Sequence, residues 1–393
     1  MKNVTLPKML ALACVVGAIA VAPASSAPNP YTIDVIINET GANAFTGQTE
    51  EQAVKIFETV ANKQGGINGQ PVHFAFYDDQ TDPKTAVEVA NQLLAKHPAV
   101  ILGSGQTATC AAIAPLLQSA GPVGYCFTSG YTPKPDGYVF SSSASLHIIV
   151  PADFRFAQGK GWHRVGNISV TNASGQNADI ETKYALSLPE FRSMKIVASE
   201  TFNPSDMSVA AQVARVKEAN PDVIMTPASG PAFATLMHAL NDAGMHVPVI
   251  ASSANLHPEQ LKAYASFLPA DLYMNGLIYY ARDILKPGPL RSAMDQFFAA
   301  YKAAGVVPTP DSGQGWDPAL IVVSALRHLG TNATAAQLRD YILRLHGFAG
   351  VNGVYDFRDG DPHGLGSEAV IFVQWHAATN DFTNVTKLGG LPL

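Results

Sequence analysis

The six residues Gly103-Ser104-Gly105-Gln106-Thr107-Ala108 are the stretch best suited to hold a charged group. They follow a short apolar run at 99–102 and precede an amphipathic run at 107–119, so they read as a strand, a loop and the start of a helix. The spacing matches the G-x-G-x-x-A fingerprint of dinucleotide sites. That fingerprint also needs an acid at the end of the following strand, to hold a ribose. Here that strand ends Cys126-Phe127-Thr128, without an acid, so no nucleotide cofactor is expected. The same loop can still take a carboxylate. Backbone N–H groups at a helix start are unpaired and carry partial positive charge. The Thr107 hydroxyl could donate to such an anion, or it could simply cap the helix.

A second polar loop, Thr128-Ser129-Gly130-Tyr131-Thr132-Pro133, follows the next strand. Loops after successive parallel strands share one sheet edge, and open α/β sheets bind ligands at that carboxyl edge. Ser129, Gly130 and Tyr131 therefore join Thr107 as candidates, although ordinary turn chemistry would select the same residue types. Later in the chain three more loops follow apolar runs. They contain Ser174-Gly175, Ser229-Gly230 and Ser252-Ser253. All are neutral, which suits reversible capture. Phe45 and Tyr131 could stack on a ring.

Signs of catalysis are thin. No G-x-S-x-G, S-x-x-K or H-E-x-x-H occurs, so no catalytic residue is assigned and an enzyme is not expected. The histidines show no metal spacing. Asp78, Asp79 and Asp82 read as a capped turn after a strand. Asp359, Asp361 and His363 read as a solvated glycine-rich turn rather than a metal site.

The elements that must carry these loops come in a strand–helix rhythm. Strands are expected at 32–38, 72–78, 99–102 and 123–127, with helices at 47–64, 83–96 and 107–119 between them. After residue 150 the rhythm returns. Strands fall at 164–170, 195–201, 223–227 and 247–251, and helices at 178–186, 208–219, 231–243 and 258–266. A strand at 276–280 and helices at 290–304, 318–329 and 335–345 follow, and runs at 353–357 and 369–376 read as a closing hairpin. Repeated units of this kind build parallel sheets covered by helices on both faces. Two such runs imply two lobes, and 393 residues suffice for two cores.

The net charge of −6 and the lack of clustered Lys or Arg argue against nucleic acid as a partner. Residues 1–27 have the order of a secretory signal: Lys2 and Lys8, an apolar run from 9 to 22, then small residues. Cleavage after Ala24 or Ala27 fits. Ala11-Leu12-Ala13 before Cys14 makes a poor lipid-attachment site. The apolar run is shorter than the ~20 residues a spanning helix needs. No other run is long enough, so no membrane insertion is expected after cleavage. Cys110 and Cys126 would remain, either as one disulfide or as two buried thiols.

The chain resembles the type I periplasmic binding proteins, specifically the leucine/isoleucine/valine-binding family of ABC-transporter receptors. The resemblance rests most on Asn62-Lys63-Gln64-Gly65-Gly66-Ile67-Asn68-Gly69, then Tyr77-Asp78-Asp79-Gln80-Thr81-Asp82-Pro83 with Ala86, Ala90 and Leu93. Weaker matches are Thr40-Gly41, Pro221-Asp222-Val223-Ile224, Trp316-Asp317-Pro318-Ala319 and Gly353-Val354-Tyr355-Asp356-Phe357. It implies two Rossmann-like lobes joined by three crossovers, with a ligand cleft between them. Lobe 1 would comprise 28–148 and 277–348, and lobe 2 would comprise 149–276 and 349–393. It also implies a monomer in the Gram-negative periplasm that hands a small molecule to a membrane permease. The carboxylate-holding positions fall on Thr107, Ser129, Gly130 and Tyr131. Where members carry aromatics, this chain has Ser174 and Ser229. Where amino-acid binders carry an acid for the ammonium group, it aligns Ser253. A buried ammonium needs a counter-charge, so this departure favours a carboxylate or neutral ligand with an apolar or aromatic body. A ligand-sensing receptor of the same fold is the alternative, and a secreted α/β enzyme the alternative from another class.

Overall fold

The computed structural model describes residues 1–3, 28–391 and 393. The signal-like segment lies, apart from its first three residues, outside them.

The first half builds a five-stranded parallel sheet. Its strands are β1 (Tyr31–Ile37), β2 (Val72–Asp78), β3 (Val100–Leu102), β4 (Val123–Cys126) and β5 (Val139–Ser141), in the order β2-β1-β3-β4-β5. Between them run α1 (Ala44–Lys63), α2 (Pro83–Leu94) and α3 (Thr107–Leu117). β1 shows why the sheet is covered on both faces. Ile33, Val35 and Ile37 point into one core, shared with Ala53, Val54 and Phe57 of α1. Ile36 points into another, shared with Ala86, Ala90 and Leu93 of α2 and Ile113 of α3. The turn after α1 reverses in left-handed conformations at Gly65, Gly66, Asn68 and Gly69. A side chain at Gly66 would overlap Gln70 O. Asp82 starts α2 by accepting from Thr85 N at 2.8 Å, with Pro83 in the first turn.

The chain then crosses to a second sheet. Here α4 (Leu146–Gly159), β6 (Arg164–Val170), α5 (Ala173–Ser187), β7 (Lys195–Phe202), α6 (Ala210–Glu218), β8 (Val223–Thr226), α7 (Gly230–Asp242), β9 (Val249–Ala251), α8 (Pro258–Tyr264) and β10 (Leu272–Leu277) repeat the pattern. The chain returns to the first lobe for α9 (Pro289–Ala304), α10 (Ser312–Leu329), α11 (Ala335–Ile342) and the hairpin β11 (His346–Ala349) and β12 (Val354–Asp356). Phe57 of α1 meets Trp316 of α10 edge-on at 5.2 Å, and Arg327 donates to Gly66 O at 2.8 Å. A third crossing leads to β13 (Val370–His376) and β14 (Asp381–Asn384), which complete a seven-stranded sheet in the order β14-β13-β10-β9-β8-β6-β7. Among the described residues its antiparallel pairs are β13 with β10 and β14 with β13, and its other pairs are parallel.

Several expectations shift. β5 and α4 are not anticipated, because a serine run at 141–143 and Pro151 inside the helix hide them. Burial of Ile149, Val150, Phe154 and Phe156 outweighs the poor helix propensity. α10 begins at Ser312, six residues before Pro318, for the same reason: Trp316, Ala319, Ile321 and Val322 are all buried. The strand expected at 276–280 spans Leu272–Leu277, and a 3₁₀ turn, Ile278–Ile284, follows. The runs at 353–357 and 369–376 do not pair with each other; β12 pairs with β11, and β13 with β10 and β14. Among the described residues no helix is long and apolar enough to cross a membrane.

Candidate ligand-binding cleft

The core strands of each sheet are parallel, so their carboxyl ends share one edge, and the two edges face each other across a cavity of about 610 Å³. Pockets for small ligands span roughly 300–1,000 Å³.

On the first lobe the 103–108 loop forms one wall. Gly103 is left-handed, and a side chain there would overlap Ile36 O. Gly103 N donates to Tyr125 O at 2.8 Å and Phe127 N to Ser104 O at 2.9 Å, so the loop is stapled to β4 and its extension. Ser104 Oγ donates to the buried Asp79 carboxylate. Thr107 is not the helix cap. Gln106 occupies that position without capping, and its Oε1 accepts instead from Asn43 Nδ2 at 3.0 Å. The start of α3 therefore presents its amides to the cavity with no side-chain acceptor on them. Thr107 Oγ1 lies 3.1 Å from Thr128 Oγ1 and links this loop to the next one. A side chain at Gly130 would overlap Thr107 Oγ1. Cys110 in α3 and Cys126 in β4 form a disulfide with Cα atoms 6.1 Å apart, tying together the two elements that carry these loops.

On the second lobe, Asn172 caps α5 by accepting from Gly175 N at 3.1 Å, which leaves Ser174 facing the cavity. Ser229 precedes α7 without capping it, and Gly230 N donates to Asn255 Oδ1 at 3.2 Å. Ser253 N donates to Asn275 Oδ1 at 3.0 Å, and Asn275 Nδ2 donates to Asp153 Oδ1 at 2.9 Å. Burial pushes the Asp153 carboxyl up to about 7 despite the bond from Asn275.

Phe45, Thr107, Ser129 and Gly130 of the expected set line the cavity from lobe 1, and Ser174, Ser229 and Ser253 line it from lobe 2. Tyr131 does not. Its half-buried ring packs against the cluster that contains Cys110, Ile113 and Cys126 behind the loop. Position 253 carries a serine, as the sequence has it, and acids reach the cavity from other elements. Asp153, Glu259 and Asp311 line the cavity, and no Lys or Arg does so among the described residues. In the sequence, Asp153 is betrayed only by the spacing of Leu146, Ile149, Val150 and Asp153, an apolar helical stripe ending in an acid, all four on the cavity wall. Glu50, unremarked in the sequence, is fully buried beneath Gly105. Burial first, and then the Asp311 and Asp79 charges, raise its pKa well above the carboxylate range.

Side-chain contacts cross the cleft. His257 of lobe 2 places Nε2 3.0 Å from Asp311 Oδ2 of lobe 1, the two residues being 5% and 3% exposed. The same imidazole meets Phe45 edge-on at 4.6 Å. Asn177 Nδ2 donates to Gly130 O at 2.8 Å. The Asp359–His363 loop is not solvated throughout. His363 is fully buried where the first and third crossings touch, its Nδ1 3.1 Å from Ser143 O. Among the described residues no group of three or more His, Cys, Asp or Glu could hold a metal ion. The 78–82 segment is the capped turn expected, with Asp78 accepting from Thr40 and Gln80.

A family model described as periplasmic binding protein matches residues 30–380. A Leu/Ile/Val-binding protein homologue of Brucella melitensis biotype 1 is 26% identical over 238 residues, 58% of this chain and 62% of that protein. The chain thus matches less than two thirds of that relative's length. An extracellular ligand-binding receptor from Rhodopseudomonas palustris superposes with a TM-score of 0.80 at 19% identity, over 91% of this chain and 100% of that one. A solute-binding protein of an ABC transporter from R. palustris, solved in complex with benzoate, gives 0.73 at 16% identity, over 92% and 97%.

Proposed function

The chain belongs to the periplasmic binding protein family, and from that premise we propose that it is the extracytoplasmic solute receptor of an ABC transporter. It captures a small amino-acid-like or carboxylate-bearing molecule and presents it, lobes closed, to a permease. The observation that carries this reading is the pair of facing sheet edges around one cavity, furnished with hydroxyls, amides and an uncapped helix start. Thr107, Ser129 and Gly130 take the carboxylate, where the α3 dipole favours negative charge. Ser174, Ser229 and Ser253 close on the guest from lobe 2, and Phe45 covers it at the mouth. The ligand stabilises the closed arrangement because only that arrangement lets both lobes touch it. The signal-like start and the Cys110–Cys126 disulfide suit an oxidising compartment outside the cytoplasm.

A thermal-shift panel of amino acids, aromatic and aliphatic acids, and amides tests this. A compound at 100 times its Kd stabilises the protein by about 2.7 kcal/mol. Thr107→Ala should weaken carboxylates more than their amides. No shift with any member of the panel, or equal loss for acids and amides, contradicts the reading.

A further inference from the structure

Behind the first-lobe wall lies a pair of buried acceptors that the capture geometry does not use. Glu50 of α1 is fully buried, and neither of its carboxyl oxygens has a hydrogen-bond partner among the described residues. Asn38, which follows β1, is fully buried too, and its Oδ1 is equally without one. The two groups converge beneath the loop that opens α3: a side chain at Gly105 would overlap both Glu50 Oε2 and Asn38 Oδ1. The Asn38 amide cannot simply be turned round. Its Nδ2 donates to Asn43 O at 2.7 Å, and two carbonyl oxygens cannot bond each other. Asn38 Oδ1 therefore faces the Glu50 carboxyl, acceptor towards acceptor. Left without a proton between them, both would be desolvated and unpaired. Oδ1 has no proton to give, so the proton belongs to Glu50. Asn43 carries the connection onwards, its Nδ2 donating to Gln106 Oε1 at 3.0 Å. Gln106 stands immediately before α3, and its side chain, held in this way, stays off the amides of the helix start.

We propose that Glu50 is a positioning residue held in its neutral form: its O–H donates to Asn38 Oδ1 and, through Asn38, Asn43 and Gln106, fixes the start of α3 in the arrangement that receives a guest's anionic end. This rests on the capture reading above and names what holds that reading's anion loop in place. An ionised Glu50 would draw Asn38 Nδ2 to itself. The amide would turn, Asn43 O would lose that donor, and the link to Gln106 would slacken. A negative charge would also stand directly behind the loop that the guest's carboxylate approaches. Deep burial and the neighbouring acids Asp311 and Asp79 all favour retention of the proton.

Infrared difference spectra of wild type minus Glu50→Gln, recorded on the empty protein near neutral pH, read the proton without any guest. The wild-type side should carry the C=O band of a neutral carboxylic acid. The paired stretches of an ionised carboxylate in its place overturn the assignment and leave capture standing. Positioning is read by titration calorimetry with two acid–amide pairs, benzoate with benzamide and leucine with leucinamide. Glu50→Met keeps the length of the side chain and removes the donor. It should weaken the acid of a pair about tenfold and the amide about twofold or less. Glu50→Gln, whose Nε2 can donate to Asn38 Oδ1, should rescue the acid to its wild-type affinity. Equal loss for acid and amide in Glu50→Met marks a packing role alone and overturns the positioning role. So does a well-folded Glu50→Gln that fails to rescue. Poor folding of the E50M protein leaves the infrared band and the E50Q affinities as the test. If wild type binds none of the four compounds, the capture reading fails and the positioning role with it, whatever the band shows.

Discussion

Asp153→Asn should change how the empty protein's stability depends on pH. The folded carboxyl titrates near 7 against an ordinary value of 3.8, so the folded chain holds this proton more tightly than the unfolded chain does. Its stabilising contribution is complete below about pH 4 and is lost as pH rises through 7. A displacement of about 3 units at about 1.4 kcal/mol each sets a ceiling of about 4 kcal/mol. Of that ceiling, about 3 kcal/mol is lost between pH 5 and pH 8. Asp317, pushed to about 6 by burial, and the buried Glu50 add slopes of the same sign. Both are present in wild type and variant, so the difference between the two isolates Asp153. Urea unfolding between pH 4.5 and 8.5 reads it out through the midpoint at constant m. The variant should gain about 3 kcal/mol relative to wild type between pH 5 and pH 8. Parallel curves over that range would refute the argument that this carboxyl is desolvated in the empty cleft.

Asp317→Ala should cost about 3 kcal/mol or more, because Val351 N, Asn352 N and the Tyr355 hydroxyl, each 2.8 Å from its carboxylate, lose their acceptor inside the core; urea unfolding checks it. The double variant Cys110→Ala/Cys126→Ala should lose about 3 kcal/mol, the value for a cross-link spanning 16 residues, seen as a lowered Tm. His257→Ala should shift the unliganded protein towards open lobes and weaken every ligand, since closure would then bury Asp311 without its partner; small-angle scattering and calorimetry report the two effects.

The strand–helix rhythm was legible because each element has one buried face, and periodicity records that directly. Val72–Asp78 and Arg164–Val170 fall where the alternation puts them. The polar loops were legible for a related reason: a loop after a parallel strand must lie on the carboxyl edge, whatever the packing. What depends on packing was hidden. α4 breaks local rules with Pro151 and β-branched residues and is held by burial. Asp153 comes with it, and an acid on an unrecognised helix could not be placed in a cleft. Tyr131 lies off the cavity wall because a turn sets which way a ring points, and composition does not encode that direction. The pairing of His257 with Asp311, 54 residues apart in sequence, exists only when the two lobes meet.

Small-angle scattering of the protein alone and with a compound that the thermal-shift panel has shown to bind tests the central claim most directly. The radius of gyration should fall on binding, to the value of the arrangement in which His257 meets Phe45 and Asp311. A bound protein whose radius of gyration and scattering profile are unchanged from the empty one would contradict it.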